Sequence, residues 1–330
     1  MLNAILETWS SLALFPWNAE PFRRAVSFEP TREADTSKFI SKRFDAEFGS
    51  LQYKLFIPSK YTGAPLPLIV MLHGCGQDAD DFAFGTGMNE LAEKVNCLVA
   101  YPEQSAGANC GKCWNWYEQS HHQRGQGEPA LIAGVTQQIL AEYAVDETRV
   151  CVAGLSSGGA MAVILGRTYP DLFTSVGCHS GLAHGSATDY YGAMLAMRHG
   201  ADLGALAKTE PAPSVPIIVF HGDMDSTVHW KNSVGVVQQS IDSYAAQIRS
   251  ERAKLEIALS EETGEATGRG FTRKVVRGTA GEIVAEQWTV HGTGHAWSGG
   301  SWRGSYTDTN GPAASEEMLR FFMRRQAVHR

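Results

Sequence analysis

The chain has 330 residues, 43% hydrophobic and 19% charged, with a formal net charge of −7. That is ample material for one large core or two small ones. The acidic balance argues against a nucleic-acid binder, and no apolar stretch is long enough to span a membrane.

The segment Met1 to Trp9 lacks the basic start of a secretion signal, and no small-residue cleavage site follows. The expected location is therefore cytoplasmic. Leu2, Ile5, Leu6, Trp9 and Leu12 fall at helical spacing and predict an amphipathic helix. It belongs to an N-terminal extension, residues 1–36, that docks on the domain or on a second copy in a homo-oligomer. Residues 37–330 read as one α/β domain.

Phe39 to Phe48 and Gln52 to Ile57 read as paired strands turning near Gly49. Leu68 to Leu72 is wholly apolar, as a strand buried on both faces must be. A helix around Met88 to Val95 precedes the strand Cys97 to Tyr101, and an amphipathic helix spans Leu131 to Tyr143. The strand Val150 to Ala153 leads into a Gly-Ser turn, and Phe173 to Cys178 and Val215 to Phe220 continue the series. Asn232 to Ile248 is helical. Ser260 to Gly270, polar and glycine-rich, reads as a mobile surface loop. Phe271 to Val276 and Ile283 to Val290 are strands joined by a Gly-containing turn, and a helix from about Ala313 to Arg325 closes the chain. Alternation of this kind implies a mostly parallel sheet with helices on both faces.

Gly154-Leu155-Ser156-Ser157-Gly158 sits between an apolar strand and a helix. Glycines on both sides let strand and helix approach where a Cβ has no room. The serine is pushed into a cleft, and the Ser157 N–H points to the same place from a helix N-terminus. A G-x-S-x-G match alone is weak, and a Gly-Ser loop joining two elements would also produce it.

A serine hydroxyl needs a base, and the base an orienting carboxylate. The strand Val215 to Phe220 runs into His221-Gly222-Asp223-Met224-Asp225, and the strand ending at Val290 runs into His291-Gly292-Thr293-Gly294-His295. Serine, acid and histidine thus follow in the order used by α/β-hydrolases, each just past a strand. Asp225 lies further into its loop and is preferred as the acid, with Asp223 shaping the turn. His295, flanked by a flexible Gly-rich loop, is preferred as the base. His291 and His221 are read as structural, satisfied by backbone carbonyls. A second oxyanion donor is needed beside Ser157. Leu72-His73-Gly74-Cys75-Gly76-Gln77 follows the buried strand where such hydrolases place it, so the Cys75 amide is assigned; an ordinary strand-to-helix connection is the alternative.

Among the six cysteines, Cys151 and Cys178 read as core. Cys97 begins a strand, and one pair among Cys75, Cys110 and Cys113 could form a disulfide. Cys110-x-x-Cys113 has half the spacing of a zinc site, without a second ligand pair. Trp114, Trp116, Tyr117 and Trp297 are candidates for the acyl or alcohol pocket, against the alternative that large aromatics are core.

With these pieces placed, the chain resembles the poly(3-hydroxybutyrate) depolymerase family of esterases within the α/β-hydrolase superfamily, whose members include feruloyl and acetylxylan esterases. The matching stretches are Leu72 to Gln77, Cys113-Trp114-Asn115-Trp116-Tyr117, Val152 to Met161, His179-Ser180-Gly181-Leu182, His221 to Asp225 with Val228, and Gly294 to Gly300. Ser305 to Asp308 and Gly311-Pro312 fit as well, so the likeness runs over roughly residues 40 to 326. It implies a serine esterase acting on short-chain 3-hydroxyalkanoate or similar acyl esters, with Ser156, Asp225 and His295 as triad and a Cys75–Cys113 bridge. It needs no metal or cofactor. Secreted relatives are common in that family, which makes an extracellular location the alternative. Neither a secretion signal nor a separate polymer-binding segment is readable, so a soluble oligomer or small ester stands beside solid polymer as substrate. A peptidase of the same fold and a non-catalytic binding protein are the rival readings.

Overall fold

The computed structural model describes residues 37–206 and 212–324. In chain order the strands of the main sheet are β1 (Lys38–Ala46), β2 (Gly49–Ile57), β3 (Leu66–Leu72), β4 (Leu98–Glu103), β5 (Val145–Leu155), β6 (Ser175–His179), β7 (Ile217–Gly222), β8 (Ala258–Ala266), β9 (Arg269–Arg277) and β10 (Ile283–Val290). A two-strand pair, β11 (Trp297–Ser298) and β12 (Thr307–Asp308), lies apart from it. The helices are α1 (Ala79–Thr86), α2 (Met88–Val95), α3 (Gly127–Glu142), α4 (Ser157–Thr168), α5 (Tyr190–His199), α6 (Leu203–Leu206), α7 (Lys231–Ser250) and α8 (Ala314–Phe322).

The ten strands lie in the order β1-β2-β4-β3-β5-β6-β7-β10-β9-β8. From β4 to β10 every neighbouring pair is parallel, and the strands at both ends are antiparallel. Parallel neighbours require long crossovers, and helices supply them. Side chains alternate across the sheet with period two. Leu68, Val70 and Leu72 face one layer with Ile132, Met161 and Val236 of α3, α4 and α7. Ile69 and Met71 face the other with Phe82, Met88 and Phe322 of α1, α2 and α8. Continuous apolar strands are what burial on both faces requires.

Several expectations shift. The segment Ser260 to Gly270 is no loop: most of it is β8, paired along its length with β9 and exposed at every position up to Glu265. Backbone pairing alone makes this strand, with Glu261 and Glu262 reaching Lys274 and Arg273 across the ladder. Helices α1 and α5 add to the expected set. Asp78 caps the first by accepting the Asp81 N–H, and Asp189 caps the second by accepting the Gly192 N–H. The helix expected near the N-terminus lies outside the described residues. Among the described residues, no helix is long and apolar enough to cross a membrane.

Candidate active site

Ser156 stands between β5 and α4 with φ +58° and ψ −118°, a conformation a non-glycine residue holds only when its surroundings impose it. Those surroundings are tight backbone contacts. A Cβ on Gly158 would lie 2.1 Å from the Leu72 carbonyl oxygen, and one on Gly154 would lie 2.4 Å from the Gly158 carbonyl carbon. The Ser156 N–H donates to the His179 carbonyl at 2.8 Å, tying the turn to the end of β6. Ser157 is the first residue of α4, so its N–H has no acceptor within the helix and sits at the positive end of the helix dipole.

Three residues beyond Gly222 at the end of β7, Asp225 is enclosed, its carboxylate fully buried. Its Oδ1 accepts the N–H groups of Thr227 and Val228 at 2.9 and 2.8 Å, and its Oδ2 lies 2.7 Å from His295 Nδ1. A carboxylate only accepts, so His295 carries its proton on Nδ1 and presents Nε2 as a base. His221 Nε2 donates to the Val228 carbonyl at 2.7 Å and stands 3.4 Å from the same Oδ2. Burial pushes the Asp225 carboxyl up, but hydrogen bonds from His221 and His295 outweigh it and hold the group well below the ordinary range.

His179 links this pair to the serine. Its carbonyl takes the Ser156 N–H, while its Nε2 accepts the Ser298 N–H at 3.0 Å, three residues past His295. Fully enclosed and stacked on Phe220 and Trp297, it is kept neutral by burial, which lowers its imidazole to about 3. The three loops therefore meet at the carboxyl ends of β5, β7 and β10, strands of one parallel series.

Opposite stands the loop after β3. The amides flanking Cys75 are engaged: Gly74 N–H donates to Gln77 Oε1 at 2.9 Å and Gly76 N–H to the Gly111 carbonyl at 2.8 Å. No acceptor among the described residues faces the Cys75 N–H. Gln77 is held by Asp81, which also takes the Ser305 N–H. The sulfurs of Cys75 and Cys113 are bonded at 2.11 Å, and Ser157 Oγ lies 3.5 Å from Cys75 Sγ while accepting the Trp114 N–H at 3.3 Å. His73 donates from Nδ1 to the Gly74 carbonyl and accepts the Gln104 N–H on Nε2, and burial lowers it to about 4. Cys97, Cys151 and Cys178 are buried free thiols, and Cys110 is exposed.

The aromatic candidates divide. Trp114 and Trp297 are 0% and 1% exposed, their indole N–H groups bound to the His73 carbonyl and Ser315 Oγ. Both are buried side chains, in keeping with the core alternative that stood beside the pocket reading. Trp116 is also buried, edge-on to half-buried Tyr117, which in turn meets exposed Tyr190 of α5. His291 departs from its expected carbonyl partner: it bonds the Asp223 carboxylate and the Thr272 hydroxyl.

Sequence reading missed Glu128. Its buried carboxylate accepts from Gln104 Nε2 at 2.5 Å and from the Asn115 N–H at 2.8 Å, so it organises the loop that carries Cys113 and Trp114. Burial pushes this carboxyl up, against the lowering effect of its donors. Nothing in Gly127-Glu128-Pro129 marks it except an acid in a first helical turn.

A parallel sheet with crossover helices and a strained serine at a strand-to-helix turn define an α/β-hydrolase. The acetyl xylan esterase from Aspergillus awamori shares this fold with TM-score 0.63 at 17% identity, covering 87% of this chain and 98% of that one. An acylaminoacyl peptidase of Pyrococcus horikoshii gives 0.54 at 16%, covering 90% and 43%. The chain belongs to the Esterase PHB depolymerase family, which matches residues 51–255. Poly(3-hydroxyalkanoate) depolymerase C of Paucimonas lemoignei is 31% identical over 261 residues, 76% of this chain and 60% of that protein. Feruloyl esterase B of Neurospora crassa is 33% identical over 130 residues, covering 39% and 43%. The matched part of the chain thus spans about half the length of these relatives.

Proposed function

We propose that the protein is a serine esterase in which Ser156 is the nucleophile, His295 the general base and Asp225 its orienting acid. The observation that carries this reading is the 2.7 Å bond between His295 Nδ1 and a fully buried Asp225 carboxylate. It leaves Nε2 as the base at the rim where Ser156 is held at φ +58°. His295 takes the Ser156 proton, and Ser156 attacks the ester carbonyl. The amides of Ser157 and Cys75 stabilise the oxyanion. His295 then protonates the leaving alkoxide, and water resolves the acyl-enzyme with the roles reversed.

The substrate class is short-chain 3-hydroxyalkanoate esters, including soluble oligomers. Support comes from family membership and from the name of the Paucimonas relative. The kinship to a feruloyl esterase makes aromatic acyl esters the second class to assay. Ser156→Ala is expected to abolish p-nitrophenyl butyrate hydrolysis, a loss of about 10⁴-fold or more, and fluorophosphonate labelling with it. Undiminished turnover in Ser156→Ala sinks the catalytic reading. Faster cleavage of methyl ferulate than of hydroxybutyrate oligomers moves the substrate class to aromatic esters.

A further inference from the structure

We propose that Asp223 and His291 form a positioning clamp outside the triad, fixing the loop that carries His295 against the loop that carries Asp225. The proposal rests on the serine-esterase reading of the same site. Asp223 Oδ2 accepts the His291 Nδ1–H and Oδ1 accepts the Gly292 N–H, both at 2.8 Å. In return, the Asp223 N–H donates to the Val290 carbonyl and the Met224 N–H to the Thr293 carbonyl, each at 3.1 Å. The backbones touch at Gly222, where a Cβ would stand 2.1 Å from Thr293 O. Every residue from Val290 to Thr293 is therefore bonded across to the acid loop.

The far side is anchored as well. The His291 N–H donates to the Gly270 carbonyl, and its Nε2 accepts the Thr272 hydroxyl at 3.0 Å. Arg269 donates to the Gly292 carbonyl at 2.8 Å while its guanidinium holds Asp308. Beyond the triad histidine, Trp297 N–H is fixed to the Tyr306 carbonyl at 2.7 Å. His295 thus rides on a short arch, Gly294 to Ala296, whose near pier is the clamp. The side chains of His291 and Asp223 are 45% and 36% exposed, and a side-chain pair so open to water adds little stability. What the pair supplies is register: it sits two residues from Asp225 and four from His295, so a slip there changes the angle at which the imidazole is presented.

Thr272, His291 and Asp223 also copy the connectivity of a catalytic relay. Thr272, however, lies within β9, paired on both sides to β8 and β10. It has neither a helix N-terminus nor inward-turned amides to hold an oxyanion. The relay is a strut.

The test uses the full chain with Asp223→Ala, His291→Phe and His291→Asn, the last retaining an N–H where Nδ1 stands. Asp223→Ala and His291→Phe are expected to lower kcat about tenfold with KM within about twofold, because a small misplacement of a catalytic group is costly. His291→Asn is expected to recover most of the rate. The downfield proton resonance of His295 Nδ1–H, which reads the arch without any turnover, broadens in the first two variants and sharpens in the third. Unchanged kcat and an unchanged resonance in Asp223→Ala and His291→Phe overturn the clamp, as does fluorophosphonate label on Thr272. If Asp223→Ala does not fold, the two His291 variants decide. Failure of the esterase reading looks different: Ser156→Ala keeps its activity, while the His295 resonance still reports on the clamp.

Discussion

At the scale of single residues, neutral histidines are buried around and beyond one charged carboxylate, that of Asp225. Burial lowers His73 and His179 to about 4 and 3, and His184, whose Nε2 bonds the His122 carbonyl away from the site, to about 4, whereas in the unfolded chain each titrates at about 6.5. Between those values the unfolded chain binds protons that the folded chain does not. The stability held by these side chains is present above about pH 6.5 and drains away as pH falls towards 4, each histidine contributing a slope of about 1.4 kcal/mol per pH unit. Urea titrations between pH 7.5 and 4.5 check this through the unfolding midpoint, and a midpoint that does not move with pH refutes it. Which side chains could be read from sequence follows from the same chemistry. Ser156, Asp225 and His295 were legible as candidates because each stands just beyond an apolar strand, and strands of that kind are hard to misread. The roles of His179 and His73 were not, since their work depends on which backbone groups tertiary packing brings to them. For Trp114 and Trp297 the sequence left core and pocket both open, because composition says nothing about which face of a loop an indole takes.

Between elements, the decisive join is the bridge from the loop after β3 to the segment before Trp116. The Cys75–Cys113 bond closes 38 residues, worth about 4 kcal/mol in the chain-entropy account, and it fixes both neighbours of Ser157 Oγ. Reduction, or replacement of both cysteines by serine, is expected to lower stability by about that amount. Turnover should fall about tenfold with little change in KM, less than the loss of a whole oxyanion donor. Chemical denaturation and steady-state kinetics with and without dithiothreitol measure both, and equal kcat in the two states rejects the coupling. Elements were legible to the extent that their burial is one-sided or complete. The central strands announce themselves, whereas β8, with Ser260, Glu261, Glu262 and Gly264, carries no alternation because neither of its faces is covered. For α1 and α5 the helix starts are marked by the capping acids Asp78 and Asp189, but both helices are short and carry little apolar periodicity to read.

For the molecule as a whole, the parallel middle of the sheet gathers the reactive loops at one rim, and the antiparallel strands beyond β10 carry the sheet outwards. Parallel pairing and its crossovers followed from the spacing of apolar runs; where the sheet stops did not, because its last strand is polar. On that outermost strand Glu261, Glu262 and Glu265 are exposed, and no described strand pairs with its outer edge. Replacing the three by threonine or valine is expected to leave kcat within about twofold while light scattering and sedimentation show association at concentrations where the parent chain stays dispersed. A variant that remains dispersed refutes the idea. Carboxylates spaced along a bare backbone ladder repel an identical ladder before their amides and carbonyls can meet.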